Sequence, residues 1–587
     1  MQVSESHGPG ARLVLVCAAL IFLGCIISPP GLMDDVDAVQ AQIARNMLQS
    51  GDWVTARLDG IAYQEKSPLI YWMMAVSMAV FGAHDWAARL PLALSVVALC
   101  WLTARFGTWA FGRRAGEAAG LCLATSVGLF LFTRIQIPDA MLTLAITLAM
   151  WSLARALEDD EPQPSRWAYA FWASLGAGLL LKGLIAVVFP VAAGVLYLFF
   201  AKRDWRRLRP FTGVCLALAI AAPWHVLATI RNPPYLDFTL RSEPGHYRGF
   251  FWFYFFNEHI LRFLNLRYPR DYNTVPRAYF WLFHLLWLFP WSPFLPAATR
   301  LKYRPLDRAS RMRLLALCWT GFILVFFTFS TTQEYYSMPC YPALALLLGS
   351  AIASGDRWLK AGQRTVGFIA AAAAVVIGAI LWRVWGLPAP GDIASALHQN
   401  PEVYTLSLGH MTDLTLSSFA YLRLPLIVAG VAFLIGALAA FRWQGRRAQL
   451  GLVLMMVLFY HAARLALITF DPYLGSRPLA EAILRAPPGK LIVDDQYYAF
   501  SSVFWYTNRT ALLLNGRVNN LEYGSNAPGA PDVFLNDDQF ARLWKTGDRY
   551  YIVFADSALD RIRKLSERKL YLVRASGGKA VYTNAPI

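Results

Sequence analysis

Three aspartates stand together near the N-terminus, in the run Asp34-Asp35-Val36-Asp37, directly ahead of a segment with helical spacing. Carboxylates in this position suit two tasks. They can cap the helix by accepting hydrogen bonds from its first backbone N–H groups. They can also remain free charges in the loop, available for chemistry. The local pattern leaves both interpretations open.

Lys66 closes the same loop and precedes an apolar run over 69–83. That run is about 15 residues long, which is short for a membrane span, and it predicts a helix lying in the membrane interface. An ammonium beside the free N–H groups of a helix start suits a lipid phosphate. The alternative is a lysine that snorkels to ordinary lipid headgroups.

A helix that begins at the aspartate cluster is predicted between these two features. Its apolar side chains recur every three or four residues and form one stripe. This spacing predicts a helix lying flat at the membrane surface, with Gln42 and Arg45 facing water. The stripe consists of Val36, Val39, Ile43 and Met47.

The composition shows what kind of protein carries this loop. Of 587 residues, 57% are hydrophobic and only 16% are charged, and the mean hydropathy is +0.40. These values exclude a soluble multidomain protein, a disordered chain and a coiled coil, because each needs far more polar residues. The net charge of +17 does not indicate a nucleic-acid partner, since a basic patch needs a soluble face. The chain is predicted to be a polytopic membrane protein, mainly α-helical.

About thirteen stretches are long and apolar enough to predict transmembrane helices. They lie near 12–28, 89–111, 115–133, 138–156, 168–181, 183–200, 211–230, 280–298, 314–330, 338–354, 365–384, 423–441 and 449–470.

Clusters of Lys and Arg in alternate short loops orient these spans, because positively charged loops stay in the cytoplasm. The N-terminus is then cytoplasmic and the chain beyond 470 lies outside. Residues 1–470 are predicted to form the membrane domain, with outer loops 29–66 and 231–279. Strand-like and helix-like runs alternate in 471–587, which predicts a small periplasmic α/β domain.

Several motifs, taken in order, resemble bacterial membrane glycosyltransferases of the aminoarabinose (lipid A) transferase and protein O-mannosyltransferase group. The resemblance implies the C-type glycosyltransferase fold, with catalysis at the outer surface and a polyprenyl-phosphate sugar donor. The motifs are Ser50-Gly51-Asp52-Trp53, Tyr63-x-Glu65-Lys66-x-Pro68, Arg134-Ile-Gln-Ile-Pro138-Asp139, Leu181-Lys182-Gly183, Ala222-Pro223-Trp224, Phe256-x-Glu258-His259-x-x-Arg262, Leu288-x-Pro290-Trp291 and Tyr335-Tyr336-x-x-Pro339.

The resemblance also implies roles for individual residues. A first-loop aspartate acts as general base in this family; here Asp35 is favoured, followed closely by Asp37, and Asp139 matches a second family carboxylate. Lys66 matches the lysine that binds the donor phosphate. Additional phosphate contacts are expected from Arg262, Tyr335 and Tyr336, while Lys182 is either a further contact or a snorkelling residue.

Glu65 and His259 fall where a relative could hold a divalent metal ion. Two ligands are too few to identify a metal, and a histidine in an aromatic loop can equally be hydrogen-bonded structure. The sequence therefore predicts no certain cofactor and leaves a divalent metal ion possible.

The expected activity is an inverting transfer from a polyprenyl-phosphate sugar at the outer face of the bacterial inner membrane. The acceptor would be lipid A, another envelope glycan or a protein. The alternative function is a transporter or flippase of a lipid-linked sugar. Transporters place charges near the bilayer midplane on repeated, broken helices. Here the charges collect at the outer surface and no repeat is evident, which favours the enzyme.

Overall fold

A computed structural model describes residues 9–27, 30–269, 275–330, 333–398, 400, 406–567 and 570–587. Most of the described residues are helical. Among them, eight helices are long and apolar enough to cross a membrane, and this confirms a multi-pass, mainly α-helical membrane protein. These helices are Asp85–Phe111, Asp139–Leu157, Trp205–Arg231, Arg308–Phe329, Glu334–Ser354, Trp358–Val384, Arg423–Arg442 and Gly445–Leu474.

The other five predicted spans fall on helices that are shorter, interrupted or less apolar, so the count of thirteen stays a prediction. One break is at Gly183, whose φ of +74° lies in the left-handed region that favours glycine. The helices at these five positions are Pro9–Ala18 with its continuation Ala19–Leu23 and Gly24–Ile27, Arg113–Ala124 and Val127–Phe132, Pro164–Lys182, Ile185–Ala201, and Arg277–Trp287.

The first outer loop contains the two predicted surface helices, Val36–Ser50 and Leu69–Phe81, with a two-stranded antiparallel hairpin between them. The hairpin strands are β1 (Arg57–Leu58) and β2 (Ile61–Ala62). Loop 231–279 contains a helical turn, Gly249–Phe251, that continues as a π-helix, Trp252–Leu261. Predicted loop residues 29 and 270–274 lie outside the described residues.

Gln42 and Arg45 do not face water, and that prediction was wrong. Arg45 is 8% exposed, its Nη1 donates to the carbonyl oxygen of Trp505 at 2.6 Å, and its guanidinium lies 3.8 Å from the centre of the Trp505 ring. Helix Ser501–Thr507, from the C-terminal part of the chain, covers this side of helix Val36–Ser50. A contact across more than 450 residues has no local signal in the sequence.

The C-terminal part contains a six-stranded sheet in the order β5-β4-β3-β6-β8-β7. The four strands β5, β4, β3 and β6 run parallel, and β8 and β7 continue the sheet antiparallel. The strands are β3 (Lys490–Asp494), β4 (Leu512–Leu514), β5 (Phe534–Leu535), β6 (Tyr550–Ala555), β7 (Tyr571–Ser576) and β8 (Lys579–Thr583).

Helices cover both faces of this sheet because its central strands are apolar on both sides. Leu491 and Val493 of β3 share one cluster with helix Arg477–Arg485, whereas Ile492 packs with helices Asp537–Trp544 and Leu559–Ser566.

Beyond the end of β3, the chain forms the turn Tyr497–Phe500 and then helix Ser501–Thr507. This segment contacts the aspartate cluster of the first loop.

Candidate functional site

A cavity that we call the donor cavity lies between the first outer loop, loop 231–279 and the ends of several membrane helices. It contains about 1360 Å³ of space free of protein atoms, including space open to solvent. Its lining combines charged and polar side chains with aliphatic and aromatic ones. The polar lining is Glu65, Lys66, Ser67, Asp139, Lys182, Tyr254, Glu258, His259, Arg262, Ser330 and Tyr336, and the apolar lining includes Leu142, Leu184, Ile185, Val188, Ile260, Phe263, Leu264, Phe326 and Phe327.

Lys66 lies in this cavity paired with its neighbour Glu65, at 2.6 Å between Nζ and Oε1. Burial alone would raise the pKa of Glu65, but the charges of Lys66, Arg267 and Arg262 outweigh it and lower the pKa to about 2. Burial would lower the pKa of Lys66, and the Glu65 carboxylate raises it instead. Both groups are therefore ionised at neutral pH, and Lys66 presents a fixed positive charge to the cavity.

Arg262 provides a second positive charge beside Lys66. Its Nη2 donates to the Tyr336 hydroxyl at 2.9 Å, and its Nη1 lies 3.1 Å from Glu258 and 3.7 Å from Glu65. Arg267 also binds Glu258, with Nη1 within 2.7 Å of both carboxylate oxygens. Arg262 and Tyr336, each expected from the sequence to contact the donor phosphate, thus contact each other. Their hydrogen bond joins loop 231–279 to the turn before helix Tyr341–Ser354.

Lys182 provides a third positive charge and is held by Asp139, at 2.5 Å between Nζ and Oδ1. Lys182 Nζ also lies 4.9 Å from the centre of the Tyr336 ring and 5.4 Å from that of Tyr335, within the range of a cation–π contact. Tyr335 itself does not line the cavity. Asp139 is 2% exposed, and among the described residues its Oδ2 has no hydrogen-bond partner. Asp139 is therefore paired inside the cavity rather than capping its helix.

The geometry of His259 does not suit a metal ligand. Its Nε2 accepts from the backbone N–H of Leu184 at 3.2 Å, and its Nδ1 lies 2.5 Å from the carbonyl oxygen of Tyr254. Both ring nitrogens are thus engaged by backbone groups. Glu65, the other predicted ligand, is engaged by Lys66. Within the described ranges, no three His, Cys, Asp or Glu side chains form a group that could hold a metal ion.

The backbone contacts of His259 give it a structural role. The imidazole packs against Gly183, where a Cβ atom would lie 2.2 Å from Nε2. Only glycine leaves room for the ring at this position. His259 therefore fixes the turn that follows Lys182 and, with it, the position of that lysine.

The three aspartates of the first loop have different surroundings. Asp37 is 1% exposed; its carboxylate accepts from Arg89 Nη2 at 2.7 Å and from the backbone N–H groups of Met33 and Gln136, each at 3.1 Å. Asp34 accepts from Ser476 at 2.6 Å, from Ser502 at 2.7 Å and from Lys579 at 2.7 Å. Asp34 and Asp37 are thus tied to other parts of the chain.

Asp35 differs from both neighbours. Among the described residues its carboxylate pairs with no cation, and it does not cap the helix that follows. The side chain reaches solvent although protein surrounds it closely; this desolvation, followed by repulsion from Asp34, raises the pKa of Asp35 to about 6. Its backbone has φ 67° and ψ −142°, a region that is strained for any residue except glycine. Strain of this kind is typical of functional sites.

The structure therefore brings together Lys66, Arg262, Lys182, Asp139 and Tyr336 in one cavity. Asp35 and Asp37 do not line it. Sequence reasoning missed the partners of the acidic residues. Most of these partners are distant in the chain, and no local pattern connects them. The missed residues are Arg89, Arg267, Lys579, Ser476, Ser502, Tyr63 and Tyr498.

Comparison with known proteins is consistent with this architecture. Residues 65–226 match the family described as dolichyl-phosphate-mannose-protein mannosyltransferase. An undecaprenyl phosphate-α-4-amino-4-deoxy-L-arabinose arabinosyl transferase of Pseudomonas fluorescens is 28% identical over 68% of this chain and 66% of its own length. The corresponding transferase of Erwinia tasmaniensis is 27% identical over 91% of this chain and 89% of its own.

A solved structure shows the same fold. It is the crystal structure of ArnT from Cupriavidus metallidurans bound to undecaprenyl phosphate, with a TM-score of 0.77, 22% identity and 98% of each chain covered. The motifs, the family match and the relatives agree with one another. Together they show that this chain is similar to the group that contains the bacterial aminoarabinose transferases and the protein mannosyltransferases.

Proposed function

We propose that this chain is a glycosyltransferase that moves a sugar from undecaprenyl phosphate to lipid A. The observation that carries the proposal is the donor cavity, whose lining combines a cluster of positive charges with many apolar side chains. A polyprenyl-phosphate sugar has the same two parts, a charged phosphate and an apolar chain. The names of the relatives indicate the sugar, 4-amino-4-deoxy-L-arabinose, and thus a pentosyl transfer.

The charge balance of the cavity fits this donor. Four cations meet three carboxylates, which leaves one unit of positive charge. The phosphodiester of the intact donor carries one negative charge and neutralises the site. The cations are Lys66, Lys182, Arg262 and Arg267, and the carboxylates are Glu65, Asp139 and Glu258.

The same cations assist the reaction itself. When the bond between the anomeric carbon and the phosphate oxygen breaks, the phosphate leaves as a monoester and gains negative charge. Lys66 and Arg262 are held in place before the reaction, so they stabilise this developing charge without reorganising. Stabilisation of the leaving group requires no additional acid.

Asp35 is the proposed general base. The acceptor oxygen forms a bond to the anomeric carbon on the face opposite the phosphate, which inverts that centre, and its proton passes to the Asp35 carboxylate. A pKa of about 6 keeps this carboxylate ionised at neutral pH yet a better proton acceptor than an ordinary aspartate. Asp37 is unsuited to this task because Arg89 and two backbone N–H groups already occupy it.

The membrane arrangement belongs to the same proposal. We infer thirteen spans, a cytoplasmic N-terminus and a periplasmic domain over 471–587 in the bacterial inner membrane. The basic clusters in alternate loops support this orientation. The donor cavity then lies at the periplasmic surface, where lipid A and a lipid-linked sugar can meet.

A bacterial strain that lacks this protein tests the proposal by mass spectrometry of its lipid A. Restoring the chain should add aminoarabinose to lipid A, and the Lys66→Ala variant should not. Lys490→Ala is the matched control, because Lys490 is an exposed lysine of strand β3 that pairs with Asp548 and does not line the donor cavity. Unmodified lipid A with the natural chain, or full modification with Lys66→Ala, would contradict the proposal.

A further inference from the structure

The turn Tyr497–Phe500 and the start of the following helix hold the loop that carries Asp35. The backbone N–H of Asp35 donates to the carbonyl oxygen of Tyr498 at 2.8 Å, and the Ser501 hydroxyl donates to the carbonyl oxygen of Asp35 at 2.9 Å. Both peptide groups of the strained residue are therefore fixed by the C-terminal part of the chain. These bonds offset the cost of its unusual φ and ψ.

Asp34 anchors the same loop from the other side. Its two carboxylate oxygens are shared between Ser476, Ser502 and Lys579, all in the C-terminal part. Ser502 contributes both its hydroxyl and its backbone N–H. The loop cannot move without breaking charge-assisted hydrogen bonds, which are stronger than neutral ones.

The Tyr498 side chain is also connected to the donor cavity, through hydrogen bonds by way of Tyr63. Its hydroxyl donates to the Tyr63 hydroxyl at 2.9 Å, and Tyr63 donates to Glu65 Oε2 at 2.9 Å. Glu65 in turn holds Lys66. Tyr63 is 3% exposed, and burial raises its pKa well above the usual range, so it remains a donor.

We propose that Tyr498 is a positioning residue that fixes Asp35 relative to Lys66. Its carbonyl group binds the backbone of the proposed base, and its hydroxyl connects through Tyr63 to the pair that binds the donor phosphate. The C-terminal part of the chain thereby sets the distance between the proton acceptor and the leaving group. This inference rests on the proposed function and adds a residue to it.

The test compares Tyr498→Phe, Tyr63→Phe and the double variant in a transfer assay with undecaprenyl-phosphate aminoarabinose and lipid A. Each change removes one hydroxyl and keeps the ring, so the protein should fold. The turnover number should fall roughly three- to tenfold in each single variant, as expected for one lost hydrogen bond. The donor KM should change less than twofold, because the Lys66–Glu65 pair remains.

The double variant distinguishes a connected chain of hydrogen bonds from two separate effects. If the hydroxyls act as one chain, the double variant should be no slower than the slower single variant. Tyr582→Phe makes the same chemical change in strand β8, outside this chain of bonds, and should behave like the natural protein. Unchanged turnover in both single variants, or effects that multiply, would overturn the inference. Absence of transfer by the natural protein would instead overturn the proposed function.

Discussion

The buried pair of Asp37 and Arg89 permits a sharp test of which aspartate is structural. Asp37 is 1% exposed and the Arg89 side chain 8% exposed, with 2.7 Å between Oδ2 and Nη2. Replacing one member of such a pair leaves an unpaired buried charge and costs about 3–5 kcal/mol. Asp37→Ala should lower the free energy of unfolding by this amount.

A double variant shows how much of this loss in the free energy of unfolding comes from the unpaired charge of Arg89. Arg89 Nη1 also donates to the carbonyl oxygen of Pro30 at 2.7 Å, and Nη2 to that of Gly31 at 3.0 Å. Adding Arg89→Met to Asp37→Ala removes the unpaired charge but leaves these two carbonyl groups without their donor. Each such loss costs about 1 kcal/mol. The double variant should therefore recover only about 1–3 kcal/mol of the loss of about 3–5 kcal/mol.

The assay is unfolding in mixed micelles, followed by tryptophan fluorescence, with glycosyl transfer measured on the same samples. Asp35→Asn serves as the comparison. It should unfold like the natural protein or slightly later, because it removes a carboxylate whose charge the fold disfavours, and it should lose nearly all transfer. If Asp37→Ala were as stable as the natural protein and Asp35→Asn were strongly destabilised, Asp37 would not be the structural aspartate and the assignment of the two roles would be refuted.

Three other predictions follow from the geometry. Transfer should increase with pH around an apparent pKa near 6, because a protonated Asp35 cannot accept the acceptor proton; a rate independent of pH between 5 and 7 would argue against Asp35 as base. Burial raises the pKa of Asp59 to about 7, above the value of about 3.9 expected in the unfolded chain; thermal stability should therefore fall as pH rises from 4 to 7, and less so in Asp59→Asn. Chelators should leave transfer unchanged, because backbone groups occupy both nitrogens of His259; restoration by added zinc after chelation would contradict this.

Much of the site could be predicted because it is carried by short motifs at element ends. Lys66 precedes a helix and Asp139 begins one, so their types and positions were informative. The stripe of apolar residues also predicted helix Val36–Ser50 correctly. Such features depend on neighbours within one or two turns, which is the range that sequence patterns report.

The partners of these residues could not be predicted in the same way. Arg45 was expected in water and is covered by Trp505, and Asp37 was considered as a base and is bound by Arg89. Each contact is made by an element distant in the chain, and tertiary packing decides it. The relation between Asp35 and Lys66 through Tyr498 has the same origin.

The most direct measurement is transfer by the purified protein from synthetic undecaprenyl-phosphate aminoarabinose to lipid A. The account predicts release of undecaprenyl phosphate together with glycosylated lipid A, and loss of both products in Asp35→Asn and in Lys66→Ala. Movement of the lipid-linked sugar across vesicles without release of undecaprenyl phosphate would contradict it and would identify a transporter.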